Sequence, residues 1–166
     1  MRLRSLLVAL FALSLGLAAH ADTFAYTLNG GASGFSGTGT LTATQQSGGT
    51  YLVTAFTGTN VTGFFGVGGF HGNDNLFFPS ANPVFDTSGI SFTDQNSSGV
   101  YRVNLYASSA NNYFAYITDQ SNQSFTVPVS FSASAVTVTP EPSSLALLGT
   151  GLVGVLGMAR KRFASR

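Results

Sequence analysis

The sequence predicts an all-β domain, an antiparallel β-sandwich or a jelly roll, flanked at both ends by segments of different composition. Short stretches alternate apolar and polar residues with the period of a β-strand. The chain contains 15 Phe and 6 Tyr among its 166 residues, and aromatic and β-branched residues favour strands. Clusters of Gly, Asn and Ser separate the stretches and indicate turns. Together they predict seven to nine short strands without helices.

Each predicted strand presents one apolar face. A proline lacks the N–H that a ladder needs, so Pro128 predicts that the last strand lies at a sheet edge. Arg102 and Asn104 are predicted on the polar face of their strand. The apolar residues that share a face within each segment are Phe24, Tyr26 and Leu28; Phe35, Leu41 and Ala43; Tyr51, Val53 and Ala55; Tyr101, Val103 and Leu105; and Phe125, Val127, Val129, Phe131 and Ala133.

Residues 1–21 are typical of a secretory signal peptide. Such a peptide has a positive start, an apolar run and a cleavage site with small side chains, here Arg2 and Arg4, residues 6–17, and Ala19 with Ala21. We expect signal peptidase to cleave before Asp22 and leave a β-rich extracellular domain over residues 22–138.

Residues 139–163 combine three features in a fixed order, namely Pro140, Glu141 and Pro142, an apolar stretch over residues 145–158, and the basic cluster Arg160, Lys161 and Arg162. The two prolines favour an extended, accessible backbone around Glu141. Residues 143–159 are long enough for a single transmembrane helix at the lower limit. The basic cluster predicts that the C-terminal end stays in the cytoplasm, with the Pro-Glu-Pro triplet outside.

This tail resembles the PEP-CTERM sorting signal that exosortases read in Gram-negative bacteria. The resemblance implies that an exosortase, a membrane-embedded cysteine transpeptidase, cleaves the chain. It implies that Glu141 is the charge that the enzyme reads, presented by Pro140 and Pro142. We therefore expect export through the inner membrane, a transient membrane-anchored precursor, and delivery to the cell surface or extracellular matrix.

Composition excludes several classes of function. The chain has no cysteine, which removes disulfides, thiolate catalysis and Cys-ligated zinc. Between the two ends Arg102 is the only Lys or Arg, and the acidic residues there are Asp22, Asp74, Asp86, Asp94 and Asp119. Nucleic-acid binding needs a basic patch, so we expect no nucleic-acid partner. No pattern predicts a cofactor.

Calcium is the metal that the remaining residues suit best, because carboxylate and amide oxygens are its preferred ligands. Weak candidates are Asn73, Asp74 and Asn75 in one predicted loop, with Asp86 or Asp94 completing a site. The spacing matches no EF-hand, and an Asn-Asp-Asn run is also ordinary turn chemistry. A structural turn is therefore the simpler interpretation.

Three functions stay open for the mature domain. The first is a non-enzymatic surface or matrix protein associated with exopolysaccharide. The second is a lectin-like carbohydrate-binding module, for which candidate residues are Tyr106, Tyr113 and Tyr116 with Asn111 and Asn112. The third is a secreted hydrolase. A Ser-His-Asp relay would have to use His71, the only histidine after residue 21, and no nucleophile-elbow pattern surrounds any serine.

Overall fold

The computed structural model describes residues 21–31, 34–136 and 151 of the chain. The chain divides into two compact units, residues 1–136 and residues 137–166. All nine described strands lie in the first unit. Residues 1–20 of the predicted signal peptide, and the predicted sorting segment apart from Gly151, lie outside the described residues.

Nine strands and one short 3-10 turn, Ser47–Gly49, make up the regular structure of the described residues. The strands are β1 (Ala21–Asn29), β2 (Ser36–Gln45), β3 (Tyr51–Gly58), β4 (Val61–Phe64), β5 (Leu76–Phe77), β6 (Ile90–Asn96), β7 (Gly99–Ser109), β8 (Asn112–Thr118) and β9 (Ser124–Ala135).

All strands pair antiparallel in one sheet with the order β4-β6-β7-β8-β9-β1-β2-β3-β5. β3 and β4 lie near opposite ends of this order, yet only Thr59 and Asn60 separate them in the chain. Asn60 adopts the left-handed conformation, φ 67°, that such a tight turn requires. The sheet therefore curls until its ends approach. The predicted all-β class is confirmed, whereas the finer expectation of a sandwich or jelly roll is not shown.

β9 joins the two halves of the curled sheet. Its residues 124–129 pair with β8 and its residues 130–135 pair with β1. The prediction that Pro128 places this strand at an edge is therefore wrong, because β9 has neighbours on both sides. The reason behind the prediction, that proline has no N–H for a second ladder, still applies at Pro128 itself. Pro128 lies opposite Phe114, in the half of β9 that pairs with β8 alone.

One hydrophobic core fills the inside of the curl. Phe24, Tyr26 and Leu28 alternate with exposed residues along β1 and are buried, as their spacing predicts. Phe56 of β3 lies 4.6 Å from Phe92 of β6, measured between ring centroids. This contact packs the two halves of the sheet onto the same core.

The predicted inward face of β3 is wrong at one position. Ala43 pairs with Val53 and Thr42 pairs with Ala55, so Thr54 is an extra residue in the ladder. Such a bulge shifts the alternation by one residue. Phe56, which is 2% exposed, therefore enters the core in place of Ala55, which is half-buried.

The long connection between β4 and β6 covers part of the outer side of the sheet. A backbone hydrogen bond from Phe65 to Ser91 holds its start against β6, and a second from Asn75 to Gly89 joins two parts of the connection next to the start of β6. Beneath it Asn104 is fully buried, although its neighbours Val103 and Leu105 already face the core. Asn104 lies on the face opposite the core, as the alternation predicts, but a distant segment of the chain covers it and keeps it from solvent.

Candidate functional site

The outer side of β7 and β8 carries a group of rings outside the hydrophobic core. We call Phe70, His71, Tyr106, Phe114 and Tyr116 the outer aromatic face. The core side of these strands is taken by Val103 and Leu105 and by alternate residues of β8, so the intervening rings point outward. None of the five belongs to the buried core cluster or to the residues packed against it.

A row of apolar side chains crosses three strands of this face. Tyr106 lies opposite Phe114, and Phe114 lies opposite Pro128. The rings of Tyr106 and Phe114 are near-parallel, at 27°, with centroids 5.8 Å apart. Both rings are half-buried and Pro128 is exposed. The row therefore forms an apolar platform that is partly open to solvent, with the two rings stacked against each other.

Beside the platform, two basic side chains lie against rings. The Arg102 guanidinium sits 5.1 Å from the centroid of Phe70, within the range of a cation–π contact. The His71 imidazole lies 4.0 Å from the Tyr116 ring. His71 reaches this position from a turn with φ 53°, a conformation in which His is enriched among non-glycine residues.

A buried polar network holds the connection that carries Phe70 and His71. The Nδ2 of Asn104 donates to the Ser88 carbonyl at 2.8 Å and to Ser91 Oγ at 2.9 Å. Ser91 Oγ in turn donates to the Phe70 carbonyl at 3.0 Å. Asn104 Oδ1 is buried without a hydrogen-bond partner among the described residues. The network fixes Phe70 over the strands that carry Arg102 and Tyr116.

The predicted sugar-binding patch is only partly assembled. Tyr113 faces the core, where its hydroxyl accepts a hydrogen bond of 3.0 Å from the Val84 N–H. Asn111 pairs with Asn82, and Asn112 donates to Ser108 Oγ, both in the β7–β8 hairpin region. Tyr106 and Tyr116 remain on the outer face.

Sequence reasoning missed Phe114 and Phe70. The alternation along β8 could have identified Phe114, because it lies between the inward Tyr113 and Ala115 and on the same face as Tyr116. Phe70 carries no such signal, since a loop and not a strand brings it there.

The five calcium candidates fall into three environments. Asn73 and Asn75 are buried, and their side chains bond to each other and to the backbone of the connection. Asp74 and Asp86 lie together, each also accepting backbone N–H bonds in its own turn. Asp94 lies on β6, between Val61 and Tyr101. No group of three or more His, Cys, Asp or Glu residues that could hold a metal exists among the described residues.

Burial changes the acidity of two of these carboxyl groups. It is the main cause that raises the pKa of Asp74, and the neighbouring Asp86 adds to the increase. Burial also raises the pKa of Asp94 from 3.8 to about 6. Asp94 in turn adds to the raised pKa of Tyr26, whose main cause is again burial.

The residues predicted to direct export lie outside the described residues, apart from Ala21 at the start of β1. They include Ala19, the triplet of Pro140, Glu141 and Pro142, and the cluster of Arg160, Lys161 and Arg162. Over the part of the chain that the structure describes, no helix is long and apolar enough to span a membrane. The predicted span, residues 143–159, falls almost wholly outside that part.

Comparison with protein families identifies the tail. The model of the PEP-CTERM protein-sorting motif matches residues 138–162, which include the Pro-Glu-Pro triplet and the basic cluster. Comparisons with curated proteins and with solved structures give no significant match. The chain therefore carries a PEP-CTERM sorting motif, as its sequence predicts. This motif implies an exported protein that an exosortase sorts.

Proposed function

We propose that this chain is a non-enzymatic protein of the cell surface or extracellular matrix, and that its strand domain associates with exopolysaccharide through the outer aromatic face. The sorting motif supports the delivery route, with signal peptidase and exosortase as processing partners. The proposed association with exopolysaccharide rests on the platform of Tyr106, Phe114 and Pro128.

The platform suits a sugar chain for physical reasons. Exposed apolar patches on soluble domains mark interaction sites, and this one is partly open to solvent on the outer side of the sheet. Sugar rings present C–H groups on one face and hydroxyls at their edges. The rings of Tyr106 and Phe114 offer the apolar contact, while Ser108 and Asn112 lie next along β7 and β8 as hydrogen-bonding groups. The arrangement favours the lectin-like interpretation as the means of association.

The carboxyl groups support a non-enzymatic role. Most glycoside hydrolases hold two carboxyl groups roughly 5 to 10 Å apart across the bond that they cleave. Asp74 and Asp86 instead hydrogen-bond to each other and to turn backbone. His71, which a Ser-His-Asp relay would need, contacts the rings of Phe70 and Tyr116.

The test is binding of the purified chain to the exopolysaccharide of its own host. Tyr106→Ala and Phe114→Ala should weaken retention in affinity electrophoresis by about tenfold, since a lost contact of ~1.4 kcal/mol changes an equilibrium tenfold. Phe125→Ala is the matched control, because Phe125 is an aromatic residue, 47% exposed, outside the outer aromatic face.

Retention lost in Phe125→Ala but kept in Tyr106→Ala would place the binding surface elsewhere. No retention of the wild-type chain would refute the proposed association itself.

A further inference from the structure

We infer that Arg102 and the rings beside it form a subsite for uronic acids, so that the preferred ligand is an acidic polysaccharide. The inference rests on the proposed function, because it names the chemical class of glycan that the outer aromatic face takes. The first observation is the positive charge of Arg102. Arg102 is the only Lys or Arg among the described residues, and it is exposed on the same side of the sheet as the platform.

Arg102 is held in a defined position. Its guanidinium lies on the face of Phe70, and its NH2 donates a 2.9 Å hydrogen bond to Asn122 Oδ1. That bond uses one of the five N–H donors of the group. A planar guanidinium fixed in this way matches the geometry of a carboxylate, which it can bind through two parallel hydrogen bonds.

Four of the five aspartates of the domain are buried or bonded to groups other than Arg102. Asp119, next to the strand position that pairs with Arg102, accepts N–H bonds from Ser121 and Gln123 within its own turn. Asp74 and Asp86 bond to each other in the connection, and Asp94 is buried. Arg102 therefore marks a local positive site on a domain whose other formal charges are negative.

The register places this cation in line with the platform. Arg102, Asn104 and Tyr106 occupy alternate positions of β7 and share its outer side. Four residues of strand span about 13 Å. The connection covers Asn104 between the two, so a sugar chain that reaches from the guanidinium to Tyr106 and Phe114 would pass over the rings of Phe70 and Tyr116. These two rings lie 6.2 Å apart, and Tyr116 lies opposite Asn104 on β8.

The commitment to uronic acids follows from this separation. Each sugar of such a polymer carries both a ring and a carboxylate, so the ring of one sugar can contact the platform while the carboxylate of another reaches Arg102. Neutral sugars offer Arg102 only uncharged acceptors, which form weaker hydrogen bonds.

The experiment compares two polymers that differ in charge alone, polygalacturonate oligomers and their methyl esters. Binding to the purified full chain in mild detergent is measured by calorimetry at low and high salt. Wild type should bind the acid about tenfold more tightly than the ester, as expected for one charge-assisted hydrogen-bonded pair. High salt should reduce the preference, because the site is exposed.

Arg102→Gln should abolish the preference by weakening binding of the acid far more than binding of the methyl ester, and Arg102→Lys should keep part of the preference. Tyr106→Ala should weaken both ligands alike. Unchanged melting temperatures would show that these variants are folded.

Equal affinity of wild type for both polymers, or a preference that survives in Arg102→Gln, would overturn the inference. Binding to neither polymer would also overturn it. The proposed function fails separately, only if the host's own exopolysaccharide is not retained.

Discussion

At the scale of single residues, the burial of Asp94 makes the free energy of unfolding depend on pH. Its side chain is 6% exposed, and burial raises its pKa from 3.8 to about 6. Between about pH 4 and 6 the folded domain therefore binds more protons than the unfolded chain. The free energy of unfolding should fall as pH rises through this window, by at most about 1.4 kcal/mol per unit.

Asp94→Asn should reduce this slope, because an amide does not titrate. Asp74 has a raised pKa in both proteins and contributes in the same direction. The measurement is urea unfolding at pH 4, 5, 6 and 7. Identical slopes for wild type and Asp94→Asn would show that Asp94 is not the titrating group.

Phe92 tests the shared core. It is 1% exposed and contacts Phe56, so it connects β6 with β3 across the curl. Phe92→Ala should lower the free energy of unfolding by about 3–5 kcal/mol, a large share of the 5–15 kcal/mol typical of a domain. Thr126→Ala, at an exposed position of β9, is the control and should be near neutral. Equal small effects would contradict a common core.

At the scale of elements, Gly89 fixes how the long connection enters β6. Its φ is +64°, and a Cβ there would collide with the Leu105 carbonyl of β7. Gly89→Ala should therefore strain the backbone and separate β6 from β7, with a loss of stability well above 1 kcal/mol. Gly66→Ala in the same connection meets nothing within 4 Å and should be tolerated. Similar melting temperatures for both variants would argue against this close approach.

The strands were predictable from alternation, because each buries one face against a core. Phe24, Tyr26 and Leu28 are buried as their spacing indicates. Alternation within one strand does not reveal its partners. The extra residue Thr54 in β3 and the central place of β9 depend on pairing between distant segments, so the predicted inward position of Ala55 and the predicted edge position of β9 are wrong.

The candidate site was less predictable than the strands. Tyr106, Tyr113 and Tyr116 were all candidates for a sugar-binding patch. Only the alternation along the strand separates Tyr113, which faces the core, from Tyr106 and Tyr116 on the outer side. Phe70 and His71 reach the face through a loop held by Asn104 and Ser91, a contact between segments far apart in sequence.

At the scale of the whole molecule, the strand domain should fold without the flanking segments. The first compact unit contains every described strand and the core cluster. Residues 22–138 expressed alone should give a β-type circular dichroism spectrum and a cooperative melt. Reducing agent should have no effect, since the chain has no cysteine. A largely helical spectrum would contradict the all-β fold.

Removal of the sorting tail by exosortase tests the account most directly. Glu141 is the one carboxylate between Asp119 and the C-terminus, and Pro140 and Pro142 favour an extended, accessible backbone around it. In a host with exosortase, mass spectrometry of surface and membrane fractions should find wild type without its tail. Glu141→Ala should still be exported but accumulate with the tail intact, because the apolar stretch and the basic cluster are unchanged. If wild type and Glu141→Ala both retain Arg166 in that host, the tail is an ordinary anchor and the sorting account is wrong.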